Sequence, residues 1–119
     1  MREPKDFKIG IVDDHVQTAV SLSQILENEG FKTFQAYEPK EAIAACKKEK
    51  PDLLLLDIRL NGMTGFEVAD RLPGIKVLFL TGYDIDDEEV ARHKNAVGVM
   101  QKPVDLDDLV KKVREALDL

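Results

Sequence analysis

The sequence predicts a doubly wound α/β domain, a five-stranded parallel sheet with helices on both faces. Three observations support that expectation. Five short apolar or β-branched runs alternate with five segments of helical periodicity. The run Leu53-Leu54-Leu55-Leu56 is apolar without alternation, as a central parallel strand buried on both faces requires. Acidic, hydroxyl or basic residues close four of the five runs, at the sheet edge where open α/β folds place their ligand crevice.

Residues 8–12 read as the first strand. Residues 17–29 then carry Ala19, Leu22, Ile25 and Leu26 at helical spacing, and Gly30 is placed to end that helix. Residues 33–36 form a second strand. Pro39 opens a second helix through about Lys48, since a first helical turn does not need the missing N–H. Pro51-Asp52 breaks the chain before the leucine strand, which ends at Asp57. Beyond a loop holding Gly62 and Gly65, residues 66–72 read as a third helix and 76–80 as a fourth strand ending at Thr81. Residues 88–95 read as a fourth helix and 97–101 as the fifth strand. Asp105 is an N-cap for the last helix, with Asp107 and Asp108 in its first turn and Lys111, Lys112 and Arg114 further along, where the dipole favours them. Its apolar face is Leu106, Leu109, Val110, Val113 and Leu117. Such alternation implies right-handed crossovers.

At 119 residues, one domain spanning 1–119 is expected, with no Ser/Gly-rich linker at which to divide it. Hydrophobic residues make up 44% and charged residues 34%, and no apolar run reaches the roughly 18 residues of a membrane span. The charged start, Met-Arg-Glu-Pro-Lys-Asp, lacks a secretory core, so a cytoplasmic location is expected. The single Cys46 suits a reducing compartment and reads as a small buried hydrophobe. A net charge of −6 argues against direct nucleic-acid binding, which needs clustered Lys and Arg on the phosphates.

The strand ends carry the chemistry. Asp13-Asp14, Asp57, Thr81 and Lys102-Pro103 should converge at one edge of the sheet. Three carboxylates there repel one another, and an oxygen-lined acidic pocket is what Mg2+ takes. Lys102 supplies a cationic donor and Thr81 a hydroxyl donor, together half of a phosphate site. Asp57 is the candidate nucleophile, because phosphoryl transfer to a carboxylate needs little beyond in-line positioning and charge neutralisation. Singly, each residue has an ordinary explanation as a turn former, cap or surface lysine. Their joint placement at four strand ends is the signal.

Asp13-Asp14, Leu54-Leu55-Leu56-Asp57-Ile58, Gly62-Met63-Thr64-Gly65, Leu80-Thr81-Gly82 and Val99-Met100-Gln101-Lys102-Pro103 resemble the receiver domains of two-component response regulators, over nearly the whole chain. The resemblance implies the flavodoxin-like strand order 2-1-3-4-5 and a switch phosphorylated on Asp57. It implies Mg2+ held by Asp13, Asp14, Asp57 and the main-chain carbonyl of Arg59, phosphoryl oxygens held by Thr81 and Lys102, and a cis Lys102-Pro103 bond. The implied partners are a sensor histidine kinase or phosphotransfer protein and a downstream effector protein or domain, with the fourth helix, fifth strand and fifth helix as output surface. The resemblance also implies a domain that catalyses only its own phosphorylation and dephosphorylation, and it leaves open whether the chain is a monomer or a phosphorylation-promoted homodimer.

Three positions depart from the family pattern. Asn61 replaces a frequent Pro, Gly82 a frequent Ala, and Val99 an aromatic residue that commonly acts as a rotating switch. The signal is therefore expected to leave through Thr81 and the following loop, Gly82-Tyr83-Asp84. Large residues at Arg59 and Tyr83 are expected to shield the phosphoryl group from water. His15 stays outside the metal set because magnesium prefers oxygen, and His93 reads as an unpaired surface residue of the fourth helix. Residues 84–89 read as an acidic helix start. A haloacid-dehalogenase-like phosphohydrolase would need an Asp where Arg59 stands, and a flavin carrier would need a phosphate loop where Asp13-Asp14 stands. A receiver-shaped interaction module that is never phosphorylated is the remaining alternative.

Overall fold

The computed structural model describes residues 2–82 and 87–119. Its sheet comprises β1 (Lys8–Val12), β2 (Lys32–Ala36), β3 (Leu53–Asp57), β4 (Val77–Thr81) and β5 (Ala96–Gln101), all parallel, in the order β2-β1-β3-β4-β5. The helices are α1 (Val16–Asn28), α2 (Pro39–Glu49), α3 (Gly65–Asp70), α4 (Asp87–Ala91) and α5 (Leu106–Ala116). Both the doubly wound architecture and the strand order match the reading of the sequence.

Side-chain alternation explains the leucine run. Leu53 and Leu55 join Ile9, Ile11, Leu78 and Leu80 on the face covered by α1 and α5, which contribute Leu22, Leu26, Leu109 and Val113. Leu54 and Leu56 join Val77 and Phe79 on the other face, covered by Ala42 and Cys46 of α2, Val68 and Ala69 of α3 and Val90 of α4. Both faces of β3 therefore carry a core, and all four leucines are fully buried. Each is worth about 1.5–3 kcal/mol relative to exposure.

Local signals act as expected at several ends. Asp105 caps α5 by accepting from Asp108 N–H at 2.9 Å, and Gly30 takes φ +100° after α1. Cys46 is fully buried, and burial pushes its thiol up to about 11, so it packs as a hydrophobe. Among the described residues no helix is long and apolar enough to cross a membrane.

The structure corrects two helices and one histidine. Helix α3 stops at Asp70 rather than Leu72, because Pro73 disfavours helical geometry in the residue before it. Helix α4 stops at Ala91 rather than Asn95. The Asn95 side chain instead donates to the carbonyls of Ala69 (3.0 Å) and Leu72 (3.1 Å), capping the end of α3, while its own carbonyl accepts from Val77 N–H at 2.8 Å. His93 is neither exposed nor unpaired. Its ring stacks on Phe66 at 4.5 Å and 8°, and its Nδ1 lies 2.8 Å from Asp70 Oδ1. A 3-10 turn, Pro4–Asp6, precedes β1 and was not anticipated. The acidic helix start expected over residues 84–89 and the loop residue Tyr83 lie partly or wholly outside the described residues.

Candidate functional site

The carboxyl ends of four strands meet. Asp13 follows β1, Asp57 and Thr81 are the last residues of β3 and β4, and Lys102 follows β5. Asp13, Asp57 and Thr81 are buried, whereas Asp14 is exposed. Lys102 Nζ donates to Asp13 Oδ2 at 2.7 Å and to Asp57 Oδ2 at 3.1 Å, so one ammonium bridges two carboxylates. The other oxygen of each is held by main chain two residues on. His15 N–H donates to Asp13 Oδ1 at 2.9 Å and Arg59 N–H to Asp57 Oδ1 at 3.0 Å, turns that fix both carboxylate orientations.

Main-chain bonds hold the edges together. Lys102 N–H donates to Thr81 O at 2.7 Å and Ile58 N–H to Leu80 O at 2.9 Å. The Lys102-Pro103 bond is cis. Gly65 at the start of α3 donates to Ile58 O at 2.7 Å. A Cβ there would collide with the main-chain carbonyl of Asp57 and come within 2.9 Å of Ile58 Cα. Glycine at 65 is therefore required for α3 to begin against the end of β3, a role that its place in a loop motif did not reveal.

Charge and burial oppose each other here. Burial raises the Asp57 carboxyl above its ordinary range, the Arg59 N–H and Lys102 pull it back, and Asp13 adds to the rise. For Lys102, burial disfavours the cation, yet the bonds to Asp13 and Asp57 outweigh it and its pKa is raised. Two anionic partners favour the lysine more than one cationic partner favours Asp57.

The ligand atoms of Asp13, Asp14 and His15 lie within 4.8 Å of one another. This places His15, set aside in the sequence reading, beside the two expected acids. With two carboxylates in the trio and Asp57 across the Lys102 bridge, the donor set is rich in oxygen and fits a hard cation such as Mg2+. Arg59 is exposed and pairs with Thr64 in an isolated antiparallel bridge. Val99 is half-buried and packs on the α2/α3/α4 core.

The response regulator receiver domain model matches residues 9–114. The chain belongs to that family. As a receiver it is 34% identical over 117 residues to the sporulation initiation phosphotransferase F of Bacillus subtilis, covering 94% of each chain. The crystal structure of a CheY-like receiver domain protein from Methanospirillum hungatei superimposes with a TM-score of 0.87 at 35% identity, covering 94% of both chains. A CheX-CheY-BeF3-Mg2+ complex from Borrelia burgdorferi aligns at 0.85 and 26% identity, covering 93% of this chain and 89% of that one. The receiver spans about half the length of other curated relatives, 48% of TcrX and 50% of the DNA-binding regulator MtrA of Mycobacterium tuberculosis. The protein is thus a phosphorylation-dependent signalling switch.

Proposed function

We propose that Asp57 is the phospho-acceptor and that Asp13, Asp14, Asp57 and the main-chain carbonyl of Arg59 hold Mg2+. The observation that supports this most directly is the Lys102 bridge between Asp13 and Asp57, which sets a cation beside a buried carboxylate at the ligand edge of the sheet. When bound, the metal neutralises charge on the transferring phosphoryl oxygens. The Arg59 N–H orients Asp57, whose free oxygen electrons form the new P–O bond as the donor's P–N bond breaks; the leaving imidazole keeps that electron pair and takes a proton. Lys102 holds one phosphoryl oxygen, and the Thr81 hydroxyl donates to another. Buried Asp13 keeps Lys102 in place once Asp57 carries the acyl phosphate.

In this reading the donor is a sensor histidine kinase or phosphotransfer protein, and the domain catalyses only its own phosphorylation and dephosphorylation. The output passes to an effector through α4, β5 and α5, in the cytoplasm. Incubation with acetyl phosphate and Mg2+ followed by intact-mass measurement tests it. The wild type gains one phosphoryl group and Asp57→Asn gains none. A phosphorylated Asp57→Asn formed at the wild-type rate would overturn the assignment, and an unmodified wild type would favour a pure interaction module.

A further inference from the structure

The acidic edge of the sheet has a basic counterpart at the opposite edge. There the turn joining α3 to β4 separates two cavities. One, of about 420 Å3, lies toward the end of α2 and is lined by Lys47, Lys50, Pro51, Arg71 and Leu72. The other, of about 690 Å3, lies toward the segment after α4 and is lined by Asp70, Lys76, Arg92, Lys94, Asn95 and Val97. Pro73, Gly74 and Ile75 line both, so the two form one continuous surface.

Six of the chain's 17 Lys and Arg residues border this surface against one carboxylate, in a chain of net charge −6. That carboxylate, Asp70, is engaged by His93. All six basic residues are exposed, and Lys76 Nζ donates to the Ala116 carbonyl at 2.8 Å. None of the other five takes part in an ion pair among the described residues. Cations gathered without counter-charges raise the local potential and attract anions. The floor between them is apolar: Pro51 and Leu72 are buried beneath it, and Val97 is 45% exposed.

We propose that this underside binds an acidic protein segment carrying an apolar anchor residue. The basic rim matches the acidic side chains, and the Pro73-Ile75 ridge with its flanking hollows matches the anchor. A nucleic-acid backbone has no use for the apolar floor, and the overall negative charge repels it. A flat anionic bilayer does not enter paired hollows. Strands of five or six residues place this surface about 15 Å from the Asp57 edge, so a bound segment leaves the acceptor free. The proposal is independent of the phosphorylation chemistry.

The test titrates the full chain with a fluorescently labelled peptide rich in Asp and Glu around a Leu-Phe pair, read by anisotropy. Amide shifts on the wild type map the contact without any variant. Shifts at residues 71–76 and 92–97 are expected, as is binding that weakens at high salt. Lys47→Glu with Arg71→Glu, and separately Arg92→Glu with Lys94→Glu, should each weaken binding about tenfold, and Ser in place of Leu-Phe should weaken it likewise. Both double variants should still accept one phosphoryl group, which separates loss of this surface from loss of the acceptor site. Unchanged affinity in both double variants, shifts confined elsewhere, or tighter binding of phosphatidylserine vesicles or duplex DNA than of the peptide would overturn the proposal.

Discussion

Lys102 lies closer to Asp13 than to Asp57, at 2.7 against 3.1 Å. Asp13 is wholly buried, with its second oxygen held by the His15 N–H, so it is the fixed anion of the site. The lysine is thus tethered to β1 and reaches toward β3, so its Asp13 bond can hold it in place while Asp57 is converted to an acyl phosphate. Two partners for one cation also mean that the carboxylates are partly neutralised by the protein itself, which tempers the repulsion inferred from three acids at one edge.

Burial raises the pKa of Asp57 above the ordinary 3.8. The native state therefore holds that proton more tightly than the unfolded chain, and stability falls as pH rises through the interval between the two values. Asp57→Asn removes the charge while Lys102 keeps Asp13. Without divalent ions it should stabilise the domain at neutral pH by more than the roughly 0.5 kcal/mol of a neutral surface change. The gain should shrink as pH falls and vanish only below about pH 3, where the carboxyl is protonated in both states. Paired urea melts at the two pH values check this; a variant less stable than wild type at neutral pH would contradict it.

Asp14 is exposed, so Asp14→Asn should change metal-free stability by no more than about 0.5 kcal/mol. Millimolar Mg2+ should raise the wild-type melting temperature by mass action and raise that of Asp14→Asn less. Calorimetry with and without the ion measures both, and a wild-type curve unmoved by Mg2+ would dismiss the pocket.

The close approach at Gly65 predicts a cost of about 1–3 kcal/mol for Gly65→Ala, as main chain at Asp57 and Ile58 gives way. Acceptance of phosphate should fall as well, since the displaced residue carries the acceptor. Gly82→Ala is the control: a Cβ there meets nothing within 4 Å. Equal stability of the two variants would show that α3 does not press on β3 as described.

Arg59 and Tyr83 are both large, and the double variant Arg59→Ala with Tyr83→Ala should dephosphorylate faster than wild type. Tyr83 lies outside the described residues, so this rests on the sequence. The decay of the acyl phosphate after donor removal is the measurement, and identical rates would end the shielding idea.

Val99 is a β-branched residue with few χ1 choices and packs on the core that contains Phe79 and Val90. It has no ring to rotate, so coupling must arise from other contacts that differ between the two states. Beryllofluoride should change amide hydrogen exchange more over residues 81–90 than over 99–101. Changes concentrated at 99–101 would make Val99 a working switch.

Periodicity and strand-end chemistry are local, and they were enough to determine the element types, the buried leucine strand and the four groups that meet at the ligand edge. The flank of α3 was not legible in the same way. Asn95 bonds carbonyls 26 and 23 positions away, and His93 meets an aspartate 23 positions away. No helical pattern encodes a partner that distant, so α4 read as longer and His93 as bare. The Lys102 bridge joins residues 89 and 45 positions apart, and the basic underside gathers lysines and arginines from the last turn of α2 and the three loops that follow α2, α3 and α4. Which loops face one another at a sheet edge depends on strand order and crossover hand, and these are settled only when the whole chain packs both faces of the sheet.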